Sequence, residues 1–165
     1  KLRTAFTTRR DINMATLSKH PYLNAVPEEC LCIFPPSAFN QARIVPAGGA
    51  NKCGRFVPAG VAVGVATWAA SRSKRNWSRP DMFKLERWLG EPLPGDDRTS
   101  VALFLGLRNC LDILAYAEMR LILSQLLLGS EYDLGKQSKD WITGIGFTCC
   151  GNDPLLTIKL RRRMK

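Results

Sequence analysis

The sequence predicts an α+β fold, and three observations carry that prediction. Apolar residues recur at three- and four-residue steps in two long segments, Asp11 to Phe34 and Leu111 to Leu128, which is the period of a helix with one buried face. Between them, Ala42 to Trp68 breaks into short apolar pieces punctuated by glycine and proline, with Val61, Val63 and Val65 alternating as in a strand. A last apolar stretch, Leu155 to Leu160, has strand composition and runs into a basic cluster. With 165 residues, 45% of them hydrophobic and 23% charged, the chain has the make-up of one globular core and not of a disordered or fibrous protein.

In order along the chain, the opening "KLRTAFTTRR" lacks the apolar centre of a secretory signal, and a start at Lys1 reads as a cut or incomplete beginning. The first helix carries Tyr22, Val26, Cys30 and Ile33 at three- and four-residue steps, but Pro27 conflicts with that pattern. A proline inside a helix removes a hydrogen bond at a cost of about 3 kcal/mol, so the helix must start at Pro27, kink there or be weakened. "PPSAFNQ" ends it. Two or three short strands joined by tight turns follow, forming a small antiparallel sheet over Ala42 to Thr67. Arg72 to Asp97, rich in Arg, Trp, Pro and Gly, reads as irregular chain with a turn of helix, and "WLGEPLPGDDRTS" as a loop. The second helix, Leu111 to Leu128, is built from good helix formers and stops at Gly129.

Composition narrows function only partly. The net charge of +10 admits an acidic protein partner, an anionic membrane surface or nucleic acid. Nucleic acid is set aside, because no recognition helix, zinc site or stacking motif accompanies the charge. The longest nearly uncharged run, Phe56 to Ser71, is broken by one proline and two glycines and is too short to span a bilayer. Six cysteines (30, 32, 53, 110, 149 and 150) form no C-x-x-C pair, so neither a zinc knuckle nor a disulfide framework follows from their spacing. Most are predicted to be reduced, small, buried hydrophobes.

Cys110 stands apart. It lies two residues after Arg108 at the doorstep of the second helix, where unsatisfied backbone N–H groups, the helix dipole and the guanidinium all favour a thiolate. Gly106 allows the backbone an approach that a side chain would obstruct.

Four segments occur in a telling order: "YLNAVPEECLCIFPP", "ARIVPAGGANKCGRFVPAGVAVGVATWAASR", "NWSRPDMFKLERWLG" and "LGLRNCLDILAYAEMRLIL". Together they resemble the C-terminal portion of a cytochrome P450, most similar to fungal membrane-bound monooxygenases. The resemblance covers nearly the whole chain and about the last third of such an enzyme. It implies one partial domain over residues 1–165, a part of a mainly helical fold comprising the E-x-x-R helix, a small antiparallel sheet, the haem-binding loop, the following helix and late strands. The family's N-terminal two-thirds, with its oxygen-activating helix and membrane anchor, would be absent.

The same resemblance implies roles for residues. Gly106, Arg108 and Cys110 match the haem loop F-x-x-G-x-R-x-C-x-G, so Cys110 would be the axial ligand of haem iron (haem b) and Arg108 the partner of a propionate. Glu29 matches the glutamate of the E-x-x-R motif, and Arg87 of "LERW" the arginine that joins it from a later loop. The implied activity is insertion of one oxygen atom from O2 into an apolar small molecule, with electrons from an acidic NADPH-dependent reductase, at the endoplasmic reticulum membrane.

Departures from the family pattern keep a second reading open, that of a truncated or decayed relative that no longer binds haem. Cys32 stands where the family's helix arginine is expected, Leu103 at the family's phenylalanine with Phe104 one place late, Leu85 at the proline before "ERW", and Pro27 at a helix former. Asp112 replaces the second loop glycine. A carboxylate about 6 Å from a thiolate costs roughly 3 kcal/mol at an effective dielectric near 20. The lone histidine, His20, lies outside any ligand motif and is expected at the surface of a helix entry.

Overall fold

The computed structural model describes residues 2–6, 12–35, 42–91, 94–96, 112–138 and 156–162. Its regular elements are, in chain order, α1 (Leu2–Ala5), α2 (Met14–Ser18), α3 (Pro21–Ile33), β1 (Arg43–Ile44), β2 (Ala50–Lys52), β3 (Arg55–Val57), β4 (Ala62–Val63), α4 (Thr67–Ser71), α5 (Asp112–Gly129), β5 (Ser130–Leu134) and β6 (Ile158–Arg162), with short 3-10 turns at Leu85–Trp88 and Lys136–Ser138. This mixture of helices and small antiparallel sheets is the expected α+β class. The chain divides into two compact units, Lys1–Asn24 with Leu111–Lys165, and Ala25–Cys110.

The first unit is built around α5. Leu121, Leu123 and Leu128 of that helix pack with Ile12 against buried Phe6, Leu17 and Leu23. Its C-terminal end is closed by Arg3, whose Nε donates to the carbonyl of Leu127 (3.0 Å) and Nη2 to that of Ser130 (3.1 Å). A cation there satisfies free carbonyls and suits the negative end of the helix dipole. Asn24 ties two helices together: its Nδ2 donates to the Ser18 carbonyl and its Oδ1 accepts from Arg120 Nε, each at 2.7 Å. β5 and β6 pair antiparallel, Ser130 opposite Arg162 and Leu134 opposite Ile158. Alternation separates their faces, with Tyr132 opposite Leu160 on one and Asp133 opposite Lys159 on the other. The late strand thus begins three residues beyond the expected Leu155, and its partner β5 directly follows the helix that Gly129 was expected to stop.

The single helix expected over Asp11 to Phe34 is two. α2 starts at a capping box, in which Asn13 Oδ1 accepts from Thr16 N (3.0 Å) and Thr16 Oγ1 accepts from Asn13 N (3.2 Å). It ends at Ser18 because Pro21 disfavours helical backbone at His20, and Pro21 itself, with no N–H to lose, opens α3. Pro27 neither starts nor ends α3, which runs through it. The missing Pro27 N–H costs one bond of the helical ladder, while the residues beyond it are held by tertiary contacts.

Among the described residues the second unit has four short strands, arranged as two separate antiparallel pairs. β1 pairs with β4 and β2 with β3. The β2–β3 connection is Cys53–Gly54, with φ of 49° and 77°, the positive values of a type I′ hairpin turn. The valine alternation yields only a two-residue strand: Val63 is half-buried, whereas Val61 and Val65 are exposed. Thr67, expected as the last residue of the sheet, begins α4. The unit's interior combines Ala25, Cys32, Ile33, Val45 and Trp77 with two charged residues, Glu29 and Arg87, the largest fully buried side chains among its described residues. Among the described residues no helix is long and apolar enough to cross a membrane.

Candidate functional site

Fully buried charge of both signs marks the site. Glu29 sits in the second half of α3, and Arg87 in the 3-10 turn Leu85–Trp88, with side chains 0% and 1% exposed. Arg87 Nε lies 3.2 Å from Glu29 Oε1 and 3.0 Å from Oε2. Glu29 Oε1 also accepts the backbone N–H of Lys84 (2.6 Å), and Oε2 the indole N–H of Trp88 (2.7 Å). Charge-assisted bonds of this kind are about twice as strong as neutral ones, and they offset the desolvation of the carboxylate.

Arg87 is satisfied at every donor. Beyond Glu29, its Nη1 donates to the Ser78 carbonyl and to Asp96 Oδ1, both at 3.1 Å. Its Nη2 donates to the carbonyls of Arg79 (3.3 Å) and Met82 (3.1 Å). A guanidinium carries five N–H groups in a fixed fork, and each meets an acceptor here. One of these acceptors comes at a cost: Arg79 is a non-glycine residue at φ 52°, a left-handed conformation worth roughly 1 kcal/mol or more of strain. The aromatic wall is Trp77, 4% exposed, whose ring lies 5.5 Å from the Arg87 guanidinium carbon and 5.6 Å, centroid to centroid, from Trp88.

Asp96 is the third charged member. Its Oδ1 accepts from Ser78 N (2.6 Å), Ser78 Oγ (2.7 Å) and Arg87 Nη1 (3.1 Å), while Oδ2 is buried with no partner among the described residues. Arg72 closes the C-terminal end of α3 and pairs with Asp81, not with Glu29 or Asp96. Its Nη2 donates to the Ile33 carbonyl (3.0 Å), its Nη1 to Asp81 (2.8 Å), and its guanidinium stacks 4.2 Å over Trp68.

Cys32 lies one helical turn after Glu29 and is buried. Burial pushes its thiol up to about 11; the Glu29 carboxylate adds to the rise, Arg87 and Arg72 oppose it, and Asp96 adds again. It is therefore a neutral thiol at physiological pH, unable to play the part of the arginine expected at that position. His20 enters α3 half-buried and not on the surface, its ring 5.4 Å from that of Phe6, because the aromatic contact draws it into the apolar cluster of the first unit.

Of the site residues read from the sequence, Glu29 and Arg87 are brought together across 58 positions. Gly106, Arg108 and Cys110, with Leu103, lie outside the described residues, and Asp112 is the first residue of α5. No cluster of His, Cys, Asp and Glu able to hold a metal ion occurs among the described residues. Sequence reasoning missed Asp96, Ser78 and Trp88. The only usable signal was Trp88, an indole N–H beside Arg87 that must find an acceptor when buried; "PGDD" offers nothing that separates Asp96 from Asp97.

Comparison with known proteins gives consistent matches. The profile of the family described as Cytochrome P450 matches residues 2–145. The chain is 39% identical over 159 residues to the cytochrome P450 monooxygenase efuB of Hormonema carpetanum, covering 94% of this chain and 32% of that protein. It is 43% identical over 144 residues to the monooxygenase aclL of Aspergillus oryzae (86% of this chain, 29% of that one). With the averantin hydroxylase of Dothistroma septosporum the figures are 39% over 168 residues, 98% and 32%. The chain spans about a third of the length of these relatives, matching their C-terminal part.

Proposed function

The chain belongs to the cytochrome P450 family, and from that premise we propose that it is the C-terminal haem-binding portion of a monooxygenase acting on an apolar small molecule. Membership implies haem b as the cofactor. The donor set suits it: Cys110 would supply a thiolate to the iron, Arg108 would hold a propionate, and Gly106 would let the backbone approach. Bound there, the haem supplies the redox chemistry that activates oxygen.

The observation that carries this reading is the buried Glu29–Arg87 pair, with every Arg87 donor engaged. It supports a chain that retains the internal scaffold of its family although Cys32 replaces the helix arginine. Residues 1–165 then act as one partial domain whose remaining two-thirds supply the oxygen-activating helix, most of the substrate pocket and the anchor to the endoplasmic reticulum membrane. The net charge of +10 suits docking of an acidic, NADPH-dependent reductase that delivers the electrons.

The second reading, a relative that no longer binds haem, is favoured by Asp112, which starts α5 two residues after Cys110. Haemin titration separates the two. Stoichiometric uptake by the chain, a thiolate-type absorbance of the reduced CO complex and its loss in Cys110→Ala support the proposal. A thiolate spectrum that survives Cys110→Ala, or no uptake at all, defeats it.

A further inference from the structure

Residues 30–80 contain no acidic side chain: the nearest on either side are Glu29 and Asp81, and Arg43, Lys52 and Arg55 fall between them. In the second unit these three cations stand on two strand pairs nested one inside the other along the chain. In the pair of β1 and β4, Arg43 lies opposite Val63 and Ile44 opposite Ala62, and Val45 prolongs the ladder by donating its N–H to the Val61 carbonyl (2.9 Å). In the pair of β2 and β3, Asn51 lies opposite Phe56 and Lys52 opposite Arg55, next to the Cys53–Gly54 turn. Successive side chains of a strand point to opposite faces, so the exposed pairs Asn51 with Phe56 and Lys52 with Arg55 leave β2 and β3 open on both sides. Over residues 42–66 only Val45 is buried.

The same ribbon carries the two most exposed large apolar side chains among the described residues, Ile44 at 67% and Phe56 at 69%. The Phe56 ring rests on bare backbone: a Cβ at Gly49 would lie 2.5 and 2.7 Å from two of its carbons, so the glycine gives the ring its seat. We propose that the ribbon from β1 to β4 is a peripheral docking element for an anionic phospholipid surface. Phe56 and Ile44 enter the headgroup layer, and Arg43, Lys52 and Arg55 meet the lipid phosphates. The lack of any carboxylate over residues 30–80 removes the repulsion that such a surface would otherwise exert. Exposed aliphatic and aromatic side chains among the cations fit lipid better than duplex nucleic acid, whose phosphates call for charge alone. The contact depends neither on haem nor on an anchor elsewhere in the protein.

The experiment is co-sedimentation of the 165-residue chain with vesicles of phosphatidylcholine alone or with about 30% phosphatidylserine. The variants are R43Q/K52Q/R55Q, F56T and, as a control of equal charge loss, K19Q/K136Q/R162Q on exposed residues of the first unit. The unsubstituted chain should bind the anionic vesicles and the neutral ones much more weakly. Each ribbon cation removed should weaken binding about fivefold, about a hundredfold for the three together, and the control triple should weaken it by no more than about threefold. F56T should weaken binding about tenfold, and should do so at high salt as well, where charge is screened. No binding to anionic vesicles, an equal loss in the control triple, or unchanged binding by F56T overturns the proposal. Binding to duplex DNA that exceeds binding to anionic vesicles at equal phosphate concentration overturns it in favour of nucleic acid. If F56T does not fold, the ribbon triple against its control decides alone.

Discussion

Arg87→Met isolates the central charge of the buried cluster while keeping most of the side chain's length. It strands two buried carboxylates, Glu29 and Asp96, and three carbonyls, those of Ser78, Arg79 and Met82. Glu29 retains the N–H groups of Lys84 and Trp88, and Asp96 retains those of Ser78, so neither carboxylate is left bare. Breaking a buried ion pair from one side costs about 3–5 kcal/mol, and the stranded carbonyls bring the total to roughly 5 kcal/mol. That is a large share of the roughly 5–15 kcal/mol that holds a whole domain together. Urea unfolding followed by tryptophan fluorescence reads it directly, because Trp77 and Trp88 lie against the cluster. At about 2 kcal/mol per molar of urea, the midpoint should fall by about 2.5 M, or the second unit should be unfolded in water. Glu29→Gln added to Arg87→Met should recover about 1–2 kcal/mol, since an amide is cheaper to bury than an unpaired carboxylate. A loss of less than about 1 kcal/mol in Arg87→Met would refute the reasoning, for that is the scale of a solvated surface pair.

Three further outcomes follow from the same geometry. Trp88→Phe removes the indole donor to Glu29 Oε2 and should cost about 2 kcal/mol in the same urea assay, more than loss of ring area alone. Cys32 is a neutral thiol in the fold, raised from the ordinary 9.0 to about 11, so its contribution is complete below pH 9 and is lost as pH rises to about 11. The stability of the chain relative to Cys32→Val should therefore fall by about 2 kcal/mol over that window, and parallel pH curves for the two would contradict the assignment. Cys53→Asn should raise the melting temperature by about 1–4 °C, because Asn tolerates the left-handed backbone of this type I′ turn better than Cys does.

The helices show how far local chemistry reaches. The helical period of Leu111 to Leu128 was readable to within a residue at each end, since Asp112 and Gly129 act within the terminal turns of α5. The first helix was harder, because two prolines carry opposite messages. Pro21 does what a proline at a first helical position does, and ends the segment before it. Pro27 was expected to start, kink or weaken its helix; α3 does not start there but runs through it, and the residues after it are fixed by contacts made tens of positions away. The strands were legible as a kind but not as pairs: Val61 to Val65 alternates, yet only Ala62–Val63 joins a ladder, against a β1 that is itself two residues long.

The amino-acid order alone determined the class of fold, the family, and the pairing of Glu29 with Arg87, the last through a motif and not through any local physics. The tertiary structure alone decided what completes that pair. Trp88, Ser78 and Asp96 were unremarkable in the sequence, and Cys32 stood out there as a loss that left Glu29 with Arg87 at best. In the fold Glu29 has three donors without an arginine at position 32, while Asp96 Oδ2 meets none among the described residues. Periodicity and capping act over a few neighbouring residues and leave a local imprint. The partners of a buried charge are gathered from α3, the 3-10 turn and the loops on either side, and only their arrangement in space shows which donors reach it.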